Sequence, residues 1–100
     1  MLESAIEDVW LQESRKYSAH TIKLHPFVAG IPDRLIIFPV NRFFLVELKR
    51  DDTDLSTIQR IWHARRLKYQ GVRVHVVYGT EQVRSWIRAA AAGEFDPTLE

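Results

Sequence analysis

Gly30-Ile31-Pro32-Asp33-Arg34-Leu35-Ile36-Ile37-Phe38-Pro39-Val40-Asn41-Arg42-Phe43-Phe44-Leu45-Val46-Glu47-Leu48-Lys49 is two apolar runs joined by a turn-forming tetrapeptide. The β-branched and aromatic residues of 33–38 and 43–49 favour strands, and Pro39-Val40-Asn41-Arg42 bends the chain between them, so the stretch predicts an antiparallel hairpin. Two acids and a lysine stand out against its apolar arms: Asp33 opens one, and Glu47 and Lys49 close the other. An ionised group taken out of water needs an opposite charge or a metal, because its desolvation is otherwise too costly. A bend anywhere between Pro39 and Arg42 sets Asp33 opposite a residue between 47 and 49. Period-two alternation puts Glu47 and Lys49 on one face and Leu48 on the other.

Working outward, residues 2–16 read as a helix, with Leu2, Ile6, Val9, Trp10 and Tyr17 on one side at about 100° per residue. Residues 19–25 form a candidate first strand. A helix from Ser56 to Gln70 ends at Gly71, and Val72-Arg73-Val74-His75-Val76-Val77-Tyr78 is a strong strand signal. A last helix follows Thr80, carries Val83, Trp86, Ile87 and Ala90, and stops near Gly93. The order is α-β-β-β-α-β-α. The crossover through helix 56–70 makes strands 43–49 and 72–78 parallel, and their apolar character on both parities predicts that both are central in a mixed sheet covered by helices. The expected unit is one α/β domain over 1–93 with a short tail at 94–100.

Two carboxylates and a backbone carbonyl, that of Leu48, form a hard all-oxygen set that suits Mg²⁺ or Mn²⁺ better than zinc. With Lys49 beside them, Asp33 and Glu47 fit metal-assisted hydrolysis of a phosphodiester, the lysine stabilising developing charge or orienting water. The four histidines, His20, His25, His63 and His75, lack zinc-motif spacing and read as structural or surface residues. There is no glycine-rich phosphate loop and no nucleophile turn, so no organic cofactor is expected.

With Glu3-Ser4-Ala5-Ile6-Glu7, Lys23, Gly30-Ile31-Pro32-Asp33-Arg34, Phe44-Leu45-Val46-Glu47-Leu48-Lys49, Gln59 and Gly71-Val72, most of the chain resembles the VRR-NUC branch of the PD-(D/E)XK nuclease superfamily. The resemblance implies a restriction-endonuclease-like αβββαβ core and a divalent-metal-dependent DNA endonuclease. In it Asp33 and Glu47 bind metal, Lys49 is catalytic, Glu7 assists from the first helix as a further ligand, and Gln59 lines the site. Small stand-alone members of this branch look like phage proteins that act as homodimers on branched DNA such as Holliday junctions, in the service of DNA repair. A catalytically inactive DNA-binding or assembly module on the same fold is the alternative, and a regulatory interaction domain a third.

Simpler readings accompany each residue. Asp33 suits a turn after Pro32, and Glu47 with Lys49 suits a structural ion pair. Glu3 and Glu13 compete with Glu7 for the helix acid, and Ser56-Thr57-Ile58-Gln59 matches a capping box. Arg60, Arg65, Arg66 and Lys68 lie on the helix after the site, with Lys23, Arg34, Arg42 and Arg50 nearer the hairpin. Of these, Lys23, Arg34, Arg60 and Arg66 are the candidates for DNA phosphates, with an ordinary solvated face as the competing account. That helix is too apolar for one stripe: Ile58, Ile61, Trp62 and Tyr69 cluster on one side and Ala64 and Leu67 on the other, which suggests a partner, a second copy of the chain.

Composition sets the outer limits. One hundred residues at 46% hydrophobic suffice for one modest core, and a net charge of +1 leaves any nucleic-acid argument to charge distribution. No cysteine, no basic and apolar leader and no run approaching the roughly 20 residues of a membrane span make the cytoplasm the expectation, that of the host cell if the gene is a phage's, with no membrane partner.

Overall fold

The structure is a computed structural model and describes residues 3–95. In chain order the elements are α1 (Glu3–Lys16), β1 (His20–Lys23), β2 (Arg34–Phe38), β3 (Arg42–Lys49), α2 (Thr57–Gln70), β4 (Val74–Tyr78) and α3 (Gly79–Ala91). The strands make one mixed sheet in the order β1-β2-β3-β4, antiparallel until β4, which runs parallel to β3. Leu2, expected on the α1 stripe, and residues 96–100 of the expected tail lie outside the described residues.

The hairpin pairs Phe38 with Arg42 and Arg34 with Val46, leaving Pro39-Val40-Asn41 as the turn. Val40 and Asn41 both sit at positive φ (65° and 62°), a conformation Asn tolerates and a β-branched residue resists. Alternation sends Ile36, Phe38, Phe44, Val46 and Val77 to the face that α1 and α3 cover, where they pack with Ile6, Trp10, Val83, Trp86, Ile87 and Ala90. Trp10 stacks on Trp86 at 5.9 Å, and Trp86 also donates its indole N–H to His75 Nδ1 (3.1 Å). Fully burying side chains of this size contributes about 1.5–3 kcal/mol each, which makes this face the foundation of the fold. Phe95 stacks on Trp86 at 5.9 Å, so the chain beyond α3 returns to the same core.

One expectation is corrected: β4 is an edge strand, not a central one. Its apolar pattern on both parities records the helices on its two faces, α3 on one and α2 on the other, and says nothing about how many strands flank it. Its first two expected residues belong to the exit from α2, where Gly71 (φ 67°) reverses the chain and the N–H groups of Gly71 and Val72 return to the Leu67 and Arg66 carbonyls.

Helix α2 also differs from a buried amphipathic helix. Ser56 caps it through the Gln59 N–H, yet none of its residues is buried, and Ile58 and Tyr69 are 55% and 64% exposed. Neither expected stripe is therefore fully buried within the chain. What holds α2 is close approach of the loop before β2: a Cβ added at Gly30 would lie 2.8 Å from both the Ile58 carbonyl oxygen and Trp62 Cβ. Gly30 is at φ 87° as well. Gly30→Ala is expected to destabilise the fold by about 2–4 kcal/mol, strain and overpacking combined, and to loosen α2. Gly71→Ala, at positive φ but with nothing within 4 Å, costs only the backbone term, about 1 kcal/mol. Thermal melts of the two variants distinguish these outcomes.

Candidate active site

The ends of β1, β2 and β3 that meet at one margin of the sheet open into a cavity of about 220 Å³ lined by Glu7, Lys23, Asp33, Arg34, Glu47, Leu48 and Lys49, with Ile6, Arg50 and Thr53. Extending the hairpin register by one residue sets Asp33 opposite Glu47, within the range expected from the turn. One step further, Leu48 faces Pro32. Proline has no N–H, so the strand position that would otherwise donate to the Leu48 carbonyl has nothing to give. The Leu48 N–H is likewise diverted from a ladder bond and donates to Asp33 Oδ1 (3.1 Å). Pro32 thus ends the β2–β3 ladder at the point where Asp33 begins to act as a side chain.

Asp33 is held by two groups. Besides the Leu48 N–H, Arg34 Nη1 lies 3.4 Å from Asp33 Oδ2 and donates to the Asp33 carbonyl at 3.0 Å. Arg34 is only 5% exposed, and its other terminal nitrogen lies 3.5 Å from Glu7 Oε1. This corrects the expectation of Arg34 as a DNA-facing cation: its guanidinium is inside, fastening the Asp33 strand to α1. Lys23, also 3.8 Å from Glu7, keeps most of its side chain in solvent.

Glu47 is buried. Its Oε2 accepts from Gln59 Nε2 (3.2 Å) and lies 3.7 Å from Lys49 Nζ, whereas its Oε1 is buried with no hydrogen-bond partner. Burial first, and then the neighbouring Asp33 charge, push the Glu47 carboxyl up to about 7, against the lowering effect of Lys49. Asp33 is raised too, chiefly by burial, although the Leu48 N–H and Arg34 favour its charge. The pair is therefore undercompensated: a buried Glu47 and a partly buried Asp33 repel each other, Lys49 and Arg34 offset this only in part, and Glu47 Oε1 has no hydrogen-bond partner.

Glu7 lines the cavity from α1, but its carboxylate is already engaged by Arg34 and Lys23. Glu13, its competitor nearer the apolar stripe, is buried away from the cavity and paired with Lys16 at 2.7 Å. Gln59 combines both of its readings, since its side-chain oxygen accepts from the Ser56 N–H while its amide donates to Glu47. Of the other cations, Arg60 is exposed, whereas Arg66 lies over the Trp62 ring at 5.2 Å with its Nε buried and unpaired.

His63 is a residue the sequence reading left aside. Its Nε2 is buried without a partner, and burial, then the Lys49 charge, push the imidazole pKa down. Its signal was available, because it follows Gln59 by one helical turn.

A family model for the VRR-NUC domain matches residues 3–81. The chain belongs to the VRR-NUC family. A solved structure described as a VRR_NUC domain superposes with a TM-score of 0.74 at 26% identity, covering 86% of this chain and 94% of that one. No curated protein matches the chain. The VRR-NUC fold is a nuclease-type fold, and this family membership brings with it DNA as the substrate and a general use of divalent metals.

The cavity fits such a metal in its chemistry. Its unengaged donors are oxygens, the carboxylates repel each other, and the unpartnered Glu47 Oε1 is the kind of buried atom a cation satisfies.

Proposed function

We propose that this VRR-NUC chain is a Mg²⁺- or Mn²⁺-dependent endodeoxyribonuclease that hydrolyses phosphodiester bonds in branched or otherwise structured DNA, Holliday junctions included, as a homodimer. The observation that carries the reading is the undercompensated pair, with Asp33 and Glu47 both raised and Glu47 Oε1 buried and unpartnered. Asp33, Glu47 and the Leu48 carbonyl would hold the ion. When bound, it polarises the scissile phosphate and supplies positive charge against the negative charge that develops during hydrolysis.

The chain's own residues do the rest. Gln59 fixes the Glu47 carboxylate from α2, and Arg34, itself held by Glu7, fixes Asp33. Lys49, released from Glu47, donates to a phosphate oxygen or orients the attacking water. Exposed Lys23 and Arg60 contact phosphates without reading bases.

The apolar flank of α2, Ile58, Ile61 and Tyr69, together with exposed Ile22 and Phe43 of the sheet, supports the dimer. A C2 partner would bury that flank and provide two sites for paired incisions. Incubation with linear, flap and four-way DNA in Mg²⁺, Mn²⁺ or chelator tests the reading. Cleavage of the branched substrates is expected in either metal and none in chelator, and failure to cut any substrate in any metal defeats it.

A further inference from the structure

Residues 24–32 join β1 to β2 at the same end of the sheet as the cavity, and the residues flanking this loop, Lys23 and Asp33, both line that cavity. The loop is held at three levels. Its neck is closed by the Leu24 N–H donating to the Asp33 carbonyl (2.8 Å), its interior by Phe27 N–H to the His25 carbonyl (2.8 Å) and Ile31 N–H to the Val28 carbonyl (3.2 Å), and its base by Gly30 against α2. On this fixed support the Phe27 ring is 74% exposed. Among the large hydrophobic side chains of the described residues only Val40, on the β2–β3 turn at the opposite end of the sheet, is more exposed, and Tyr69 of α2 follows at 64%. Phe27 is three residues from the pinned Leu24, so its Cα lies within about 11 Å of that anchor. At the ~3.4 Å rise per nucleotide of a DNA strand, this is a distance of about three steps.

We propose that Phe27 is a stacking residue: its ring packs on an unpaired base beside the scissile phosphate and gives this site its preference for DNA with free bases over continuous duplex. The inference rests on the nuclease reading for where the DNA lies, but not on turnover. A base inside a duplex is stacked on both sides and offers the ring no face, whereas a base at a branch, flap or gap does. Stacking on an aromatic side chain tolerates any base, which suits a site without base-reading groups. Exposed Lys23 beside the loop supplies charge for the backbone of the same strand.

Binding in chelator, read by the fluorescence of 2-aminopurine placed at a flap junction or within duplex, tests this for the full chain, Phe27→Ala and Phe27→Trp. The parent and Phe27→Trp are expected to quench the junction base and to prefer the flap by about 5- to 150-fold, the range that one stacked base gives. Phe27→Ala is expected to lose that preference, with unchanged duplex affinity and melting temperature. Retention of the preference by Phe27→Ala overturns the proposal. So does a drop in its sedimenting mass, which would assign the ring to a protein contact. Since no cleavage is needed, a chain that binds in this way but cuts nothing refutes only the nuclease reading.

Discussion

Glu47→Gln is expected to abolish cleavage and at the same time to stabilise the metal-free protein. The loss of activity is expected to reach about 10³-fold or more, corresponding to ~4 kcal/mol of transition-state stabilisation, because the substitution removes one of the two carboxylates proposed to hold the ion. The gain in stability follows from the sign of the Glu47 shift. Its carboxyl titrates near 7 in the folded chain against 4.5 for an ordinary glutamate. Stability associated with the protonated form is therefore fully present below pH ~4.5 and is lost as pH rises through about 7. A shift of this size corresponds to ~3 kcal/mol, which solvent at the cavity mouth reduces to about 1–2 kcal/mol. Glutamine keeps the shape, accepts from Gln59 and carries no charge. His75 works the other way: burial lowers it to about 4, so its contribution disappears as pH falls from 6.5 toward 4. The difference between Glu47→Gln and the parent cancels His75 and isolates Glu47. Urea unfolding without metal at pH 6 and pH 8.5 checks the prediction, with the variant more stable at 8.5 and the advantage shrinking at 6.

Asp33→Ala is expected to be equally inactive but less stable than the parent, by about 1–3 kcal/mol. It removes the acceptor of the Leu48 N–H and one partner of Arg34, a guanidinium only 5% exposed. Leaving a buried donor without an acceptor costs more than the Asp33 desolvation that is relieved. Asp33→Asn, whose side-chain oxygen still accepts from Leu48, is expected to be just as inactive while recovering most of the stability. Denaturant melts of the three proteins together with a cleavage assay decide it. An Asp33→Ala protein as stable as Asp33→Asn would remove the anchoring role assigned to the Leu48 and Arg34 contacts.

The sheet was legible where two constraints coincided. Over 33–49 the alternation of apolar residues and the position of Pro39-Val40-Asn41-Arg42 admitted few registers, and the observed pairing of Phe38 with Arg42 is among them. The place of β4 was not legible, because Val74–Tyr78 is apolar on both parities for the sake of two covering helices, and ladder neighbours leave no trace in composition. Arg34 was misplaced for a related reason. A charge in a strand reads as solvent-facing, and only its parity, opposite to that of Asp33, directs it beneath α1 to Glu7. In α2 the apolar residues gave no sign of how the helix is seated within the chain: the side that meets Glu47 carries Gln59, and the loop contact comes from Gly30, which has no side chain to detect.

Whether Asp33 and Glu47 hold a divalent ion is read by calorimetric titration of the protein with Mn²⁺ at pH 7 in two buffers of different ionisation enthalpy. With Glu47 titrating near 7, binding is expected to saturate and to release about half a proton per ion, the release falling toward zero at pH 8.5 and absent in Glu47→Gln. No saturable binding, or the same binding and proton release in Glu47→Gln as in the parent, would contradict it.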